Sequence, residues 1–159
     1  MPFYELILQL GQKLGLDTSA ITPDTAFIEV NYPNGTQIVL SHLAERNEIA
    51  AASALFHLPD GPQRGLVCEA LLAAQAFGID TDGCYFGVQA GAGKFIVSTT
   101  LPLDHVEEGA LEKAIERVYR ARQQWWERYD SGRLIADGTS EPSASPSPEV
   151  PGFGAMAFA

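Results

Sequence analysis

Leu66-Val67-Cys68-Glu69-Ala70-Leu71-Leu72-Ala73-Ala74-Gln75-Ala76-Phe77 decides how the rest of this chain is read. Ten of these twelve residues are apolar, and only Glu69 and Gln75 interrupt them. The run reads as a helix. At 3.6 residues per turn two polar side chains do not make a broad polar face, and a helix that is apolar nearly all round is buried all round. A chain of 159 residues with one small sheet covers one side of such a helix but hardly both. The small side chains of Ala70, Ala73, Ala74 and Ala76 let another backbone come close. The segment therefore predicts a helix packed on its own sheet and on a second subunit, the signature of a binding or assembly protein rather than an enzyme.

The flanks supply the remaining elements. Asp60-Gly61-Pro62 opens the apolar helix, with Pro62 in its first turn, and Gly78 is expected to close it. Upstream, Phe3, Leu6, Ile7, Leu10 and Leu14 fall at helical spacing after Pro2, and Gly15 suits the C-terminal cap. Thr25 to Tyr32 alternates, with Ile28, Val30 and Tyr32 on one face. Asn34-Gly35 is a hairpin signal, because both residues tolerate positive φ. The return strand runs from Thr36 to His42, with Ile38 and Leu40 inward. A third strand is expected from Glu48 to Leu58, although its periodicity is poor.

Downstream, Asp82-Gly83 opens a second hairpin, with strands Cys84 to Gln89 and Lys94 to Leu101 joined through Gly91-Ala92-Gly93. Asp104 with Glu107 fits a capping box for a last helix running to about Tyr129. Glu107, Glu108 and Glu112 in its first half and Arg117, Arg120, Arg122 and Arg128 in its second complement the helix dipole. Leu111, Ile115, Val118, Trp125 and Tyr129 form its dry stripe. Trp125 and Trp126 point about 100° apart, so one can be core while the other stays partly exposed. The sum is an α+β fold: helix, three strands, helix, two strands, helix, around an antiparallel sheet. Residues 1–130 make one domain. Residues 131–159, rich in Ser, Pro, Gly and Ala, read as a flexible tail. Phe153, Met156 and Phe158 near its end are either a short docking motif or part of a dangling terminus.

The formal net charge is −10, from 20 acidic and 10 basic residues. Residues 1–103 hold four basic side chains (Lys13, Arg46, Arg64, Lys94) against ten acidic ones. That field disfavours nucleic acid and anionic membranes as partners. No run approaches the ~20 apolar residues a membrane span needs. The start has no basic region and Glu5 breaks its apolar run, unlike a secretory signal. Cys68 and Cys84 form no C-x-x-C pair and read as reduced packing residues, so the expected compartment is the cytoplasm.

Several patterns approach chemistry and stop short. Gly91-Ala92-Gly93-Lys94 invites a phosphate-loop reading. Val88 stands where the first glycine is needed, Phe95 follows the lysine, and the segment joins two strands instead of opening a helix. His42, His57 and His105 show no ligand spacing. Cys68 lies inside the most apolar helix, where a thiol behaves as a small hydrophobe. Asp80 and Asp82 flank a turn, which explains them better than a metal does. No cofactor, metal or catalytic constellation is expected, and the chain reads as a non-enzyme.

The order of elements, the small acidic body, Leu10-Gly11 and Leu14-Gly15-Leu16 at the exit of the first helix, and Leu101-Pro102-Leu103-Asp104 leading into the helix with Trp125-Trp126 and Tyr129 together resemble the class I type III secretion chaperones, the Tir-chaperone (CesT-like) family. The likeness covers about residues 3–129. It implies a cytoplasmic homodimer, without enzymatic activity or nucleotide, that binds the N-terminal region of a secreted effector in extended form. It places the dimer contact on Leu66, Glu69, Ala70, Leu72, Ala73, Ala76, Phe77, Tyr85 and Phe86. It places the effector groove at Phe3, Ile7, Leu10, Phe27 and Val39. The ATPase of the secretion apparatus is a further partner it suggests. The alternative is a regulatory protein of the same fold that sequesters a partner to control secretion or transcription.

Overall fold

The computed structural model describes residues 2–15, 17–104, 106–107 and 109–138. Helix α1 spans Phe3–Leu14 and ends as its sequence predicts, with Gly15 in the left-handed region at φ 66°. Three strands follow: β1 (Phe27–Asn31), β2 (Gln37–Leu43) and β3 (Glu48–His57). The first hairpin turns through Asn34-Gly35, with Gly35 at φ 82° and the Asn34 side chain accepting a hydrogen bond from the Thr36 N–H at 3.1 Å. Helix α2 spans Gln63–Gln75, then come β4 (Tyr85–Gln89) and β5 (Lys94–Pro102). Helix α3 spans Ala110–Asp130 and a short α4 spans Arg133–Gly138.

All five strands form one antiparallel sheet in the order β1-β2-β3-β5-β4. One face is buried. Ile38, Leu40, Ile49, Ala51, Leu55, Phe95 and Val97 point into it and meet Phe3, Ile7 and Leu10 of α1, Val67 and Leu71 of α2, and Leu111, Ile115, Val118 and Trp125 of α3. The poor periodicity of β3 has a cause: its register shifts between Ala54 and His57, so the consecutive residues Leu55 and Phe56 are both buried. A bulge of this kind lets two neighbours share one face.

Four expectations are corrected. Helix α2 stops at Gln75, because Ala76 leaves helical geometry and Phe77 itself adopts φ 62°. Gly78 follows in the same region and does not cap the helix directly. The capping box at Asp104 and Glu107 does not form. The Asp104 carboxylate accepts the Asn47 side-chain amide at 2.6 Å, and α3 begins six residues later, after Gly109. The ordered domain also continues past Tyr129. Helix α4 packs on α2 and α3, and Leu134 is buried among them. Residues 139–159, including Phe153, Met156 and Phe158, lie outside the described residues, as do His105 and Glu108.

Candidate protein-binding surfaces

The two helices flanking the sheet's far strands differ in how fully they are covered. Along α2, Val67 and Leu71 are buried, with Ala70 and Ala74 half-buried beside them. Leu66, Glu69, Leu72, Ala73 and Ala76 are all exposed. At 100° per residue these five fall within an arc of about 120°. The helical residues expected at a subunit contact therefore share one open face, Ala70 excepted, which sits on its inner margin. Beyond the helix, Phe77 is 97% exposed and Ile79 80%. Tyr85 on β4 is exposed as well, but Phe86 is not part of this surface. Its side chain turns inward and meets Trp125 edge-on at 5.1 Å, while its N–H is held by the Gln75 side chain.

The proposed groove residues divide differently. Phe3, Ile7 and Leu10 are buried in the protomer's own core, with the Phe3 ring stacked on His42 at 5.3 Å. They are corrected from groove lining to core. The physical reason is that α1 has a single apolar stripe, and the sheet occupies it. Leu10 still forms part of the floor of a cleft of about 370 Å³ between α1 and the approach to α3, with Leu6, Val106 and Leu111. Lys13 and Glu112 meet across it at 2.6 Å, joining the two helices. That hydrogen-bonded ammonium holds the Glu112 carboxyl below its usual range, against a smaller opposing effect of burial.

Phe27 and Val39 lie on the sheet's second face. Strand pairing sets Glu29, Val39, Ala52, Ser98 and Tyr85 in one row across all five strands, and Phe27, Ser41, Ala50 and Thr100 in the next. No described helix covers these rows. Small residues on β3 and β5 keep the middle low, and a trough of about 710 Å³ is lined by Val39, Ala52, Ala54, Val88 and Ile96 together with Gln37, Ser41, Gln89, Lys94 and Arg122. Phe27 stands 60% exposed on edge strand β1. The sheet thus offers a shallow floor of mixed apolar and polar side chains beside an edge whose backbone groups can accept another strand.

Cys84 is fully buried, and desolvation pushes its thiol up to about 11 despite the nearby Arg117. Among the described residues no group of three or more His, Cys, Asp or Glu side chains converges as a metal site. No helix among them is long and apolar enough to cross a membrane. Gly91 to Gly93 form a tight turn between β4 and β5, as the hairpin reading requires.

Sequence reasoning missed Ile79, exposed just beyond α2, and Val88, exposed on β4 and lining the trough. Each is a lone apolar residue without a periodic neighbour, so no pattern marked it. It also missed a cavity of about 230 Å³ between α2, α3 and α4, lined by Ala70, Ala73, Ala74, Trp125 and Leu134 together with Asp80 and Arg128.

A family model described as the Tir chaperone protein (CesT) family matches residues 5–126. Among solved structures, a chain of the ExsC-ExsE complex aligns with a TM-score of 0.62 at 16% identity, covering 89% of this chain and 95% of that one. A chain of the HopA1-SchA chaperone-effector complex aligns with a TM-score of 0.60 at 18% identity, over 79% and 94%. A chain of the heterodimeric ExoU-SpcU complex from the type III secretion system of Pseudomonas aeruginosa aligns with a TM-score of 0.55 at 17% identity, over 81% and 93%. At these identities the likeness is one of fold. No curated protein matches the chain in sequence.

Proposed function

Because the chain belongs to the Tir chaperone protein (CesT) family, we propose that it is a cytoplasmic, non-enzymatic chaperone that holds an extended segment near the N-terminus of a type III secreted effector. The observation that carries this reading is the open second face of the sheet. Its floor of apolar and polar side chains runs beside edge strand β1, in a chain whose family match spans nearly the whole sheet-bearing domain. An extended client can add a strand at β1 through backbone hydrogen bonds and rest its apolar side chains on Phe27, Val39 and Ile96. The acidic body keeps the loaded complex soluble.

The chaperone acts as a homodimer through the open face of α2. Leu66 and Leu72 lie in water in the single protomer, and a second copy is the cover that a self-complementary apolar face calls for. Two copies present two equivalent troughs, so one client chain engaging both gains effective concentration. Handing the client to the secretion ATPase is the remaining contact this reading implies.

The test is capture of clients on the full-length protein in its native host, followed by limited proteolysis of the complex. The expected result is protection of a contiguous effector segment of tens of residues that stays non-globular. Val39→Asp replaces an apolar contact of the trough with a charge and is expected to weaken binding while circular dichroism stays native. A dimer without affinity for any secreted protein overturns the reading. A sole partner that is a cytoplasmic regulator favours the sequestering alternative.

A further inference from the structure

We infer that the trough on the sheet's second face selects extended segments carrying an Asp or Glu near an apolar side chain, with Arg122 and Lys94 taking the carboxylate. The inference rests on the chaperone reading above and names the chemistry of the client segment that the same surface takes.

The charge of the lining is the first observation. The chain carries a net charge of −10, and that field disfavours an anionic partner over most of the surface. The trough is a local exception. Lys94 and Arg122 line it, and no Asp or Glu does. Its other polar lining consists of uncharged Gln and Ser side chains. Glu29 stands outside the lining, in the Val39 row on β1, where it accepts a hydrogen bond from the Gln37 side-chain amide at 2.9 Å.

The second observation is that these two cations have donors to spare. Arg46, Arg117, Arg120 and Arg133 each meet a carboxylate. Among the described residues, neither Lys94 nor Arg122 makes an ion pair. The Arg122 guanidinium lies 5.8 Å from the centre of the Trp126 ring, near the outer reach of a cation–π contact. Its Nε is buried without a hydrogen-bond partner. A buried donor left unpaired is unfavourable, and a carboxylate matches the guanidinium fork best. In the proposed complex the guanidinium turns this edge, Nε with one terminal nitrogen, to the client.

Placement is the third. Two hydrogen bonds pin α3 to the first hairpin: the Gln123 side chain donates to Thr36 Oγ1 at 2.8 Å, and Asn34 donates to the Tyr119 hydroxyl at 3.0 Å. Arg122 therefore enters the trough from a fixed turn of helix. Lys94 and Ile96 are alternate residues of β5, so they share a face about 7 Å apart. An extended client has the same repeat. With an apolar side chain on Ile96, its side chain two positions away reaches Lys94. The selected pattern is an apolar residue and an acidic one separated by a single residue.

The experiment uses three synthetic peptides of alternating Leu and Thr, labelled at one end, in which one leucine is replaced by Glu, Gln or Lys. Fluorescence anisotropy measures their binding to the full-length chain. The Glu peptide is expected to bind about tenfold tighter than the Gln peptide, with the Lys peptide weakest. Arg122→Gln is expected to remove most of that preference while the Gln peptide binds as before, and Arg122→Glu to reverse the order. Lys94→Gln removes a smaller share, about two- to fivefold, and keeps the inference testable if circular dichroism shows that the Arg122 variants misfold. Arg120→Gln makes the same change in net charge on the same helix and is expected to leave the preference intact. Equal binding of all three peptides, still sensitive to Val39→Asp, overturns the inference and leaves the chaperone reading standing. A preference that Arg120→Gln weakens as much as Arg122→Gln is a field effect and overturns it as well. Absence of binding by every peptide removes the trough as a binding surface, and the inference with it.

Discussion

Helices α2 and α3 are both apolar where they meet the sheet, yet one is finished by its own chain and the other is not. Helix α3 carries Leu111, Ala114, Ile115, Val118, Ala121 and Trp125 on a single buried stripe, with charges over the rest. Helix α2 buries only Val67 and Leu71 and leaves leucines on its opposite side in water. The difference lies in the pattern of apolar residues rather than their number. An amphipathic helix asks for one cover, and the sheet supplies it. A helix apolar on both sides asks for two, and one sheet supplies one.

The comparison breaks most visibly at its best-buried point. Trp125→Ala empties the centre of the α3 stripe and is expected to lower unfolding free energy by about 3–5 kcal/mol, read by denaturant titration. If it does not, α3 is no better anchored than α2. On the other helix, Ala73→Arg places like charges together in the proposed homodimer. Light scattering is expected to fall to half the wild-type mass while circular dichroism stays native; a persistent dimer would place the contact elsewhere. Helix α4 sharpens the contrast, because it covers part of α2 from within the chain. Leu134→Ala is expected to lower stability by about 2 kcal/mol, and truncation after Tyr129 by at least as much, seen as a fall of several degrees in Tm. Truncation without effect would mean that α4 contributes nothing to that cover.

The smallest effect concerns the ion pair between α1 and α3. The Glu112 carboxyl is held low in the folded state by Lys13, so the pair contributes above the ordinary carboxylate range, near ~4.3, and is lost as pH falls below it. Lys13→Gln is expected to flatten the stability profile over that window by no more than about 0.5 kcal/mol, since both groups reach solvent. A change of the same size persisting near neutral pH, undiminished in acid, would assign the effect to packing.

Most of the fold is legible in the sequence because its punctuation is chemically specific. Gly15, Asn34-Gly35 and Gly93 each stand where the backbone takes positive φ or turns tightly, and the elements between them follow. The errors arise where a side chain had a distant competitor or a segment was too short to show a period. Asp104 looks like a helix cap, but Asn47 claims its carboxylate from 57 residues away. Helix α4 offers only Leu134 and Ile135 as a signal. The exposure of Leu66 and Leu72 on α2 was legible because a helix apolar at most angles has more apolar surface than one sheet covers. The groove was less so. One apolar stripe on α1 looks the same whether a sheet or a client covers it, and the sheet took Phe3, Ile7 and Leu10. The cavity beneath α4 depends on three helices meeting and has no sequence counterpart.

The sheet order has a consequence for how the chain is made. Strand β5 lies between β3 and β4, so the central ladder pairs Glu48 with Pro102 and cannot close until that late segment exists. Long closures of this kind also slow folding. At synthesis rates of about 5–20 residues per second, the stretch from Leu66 to Pro102 takes a few seconds. During those seconds every nascent chain carries the apolar helix without the β4 and α4 contacts that cover part of it. The period of greatest aggregation risk therefore precedes any encounter with a client and belongs to the chaperone itself.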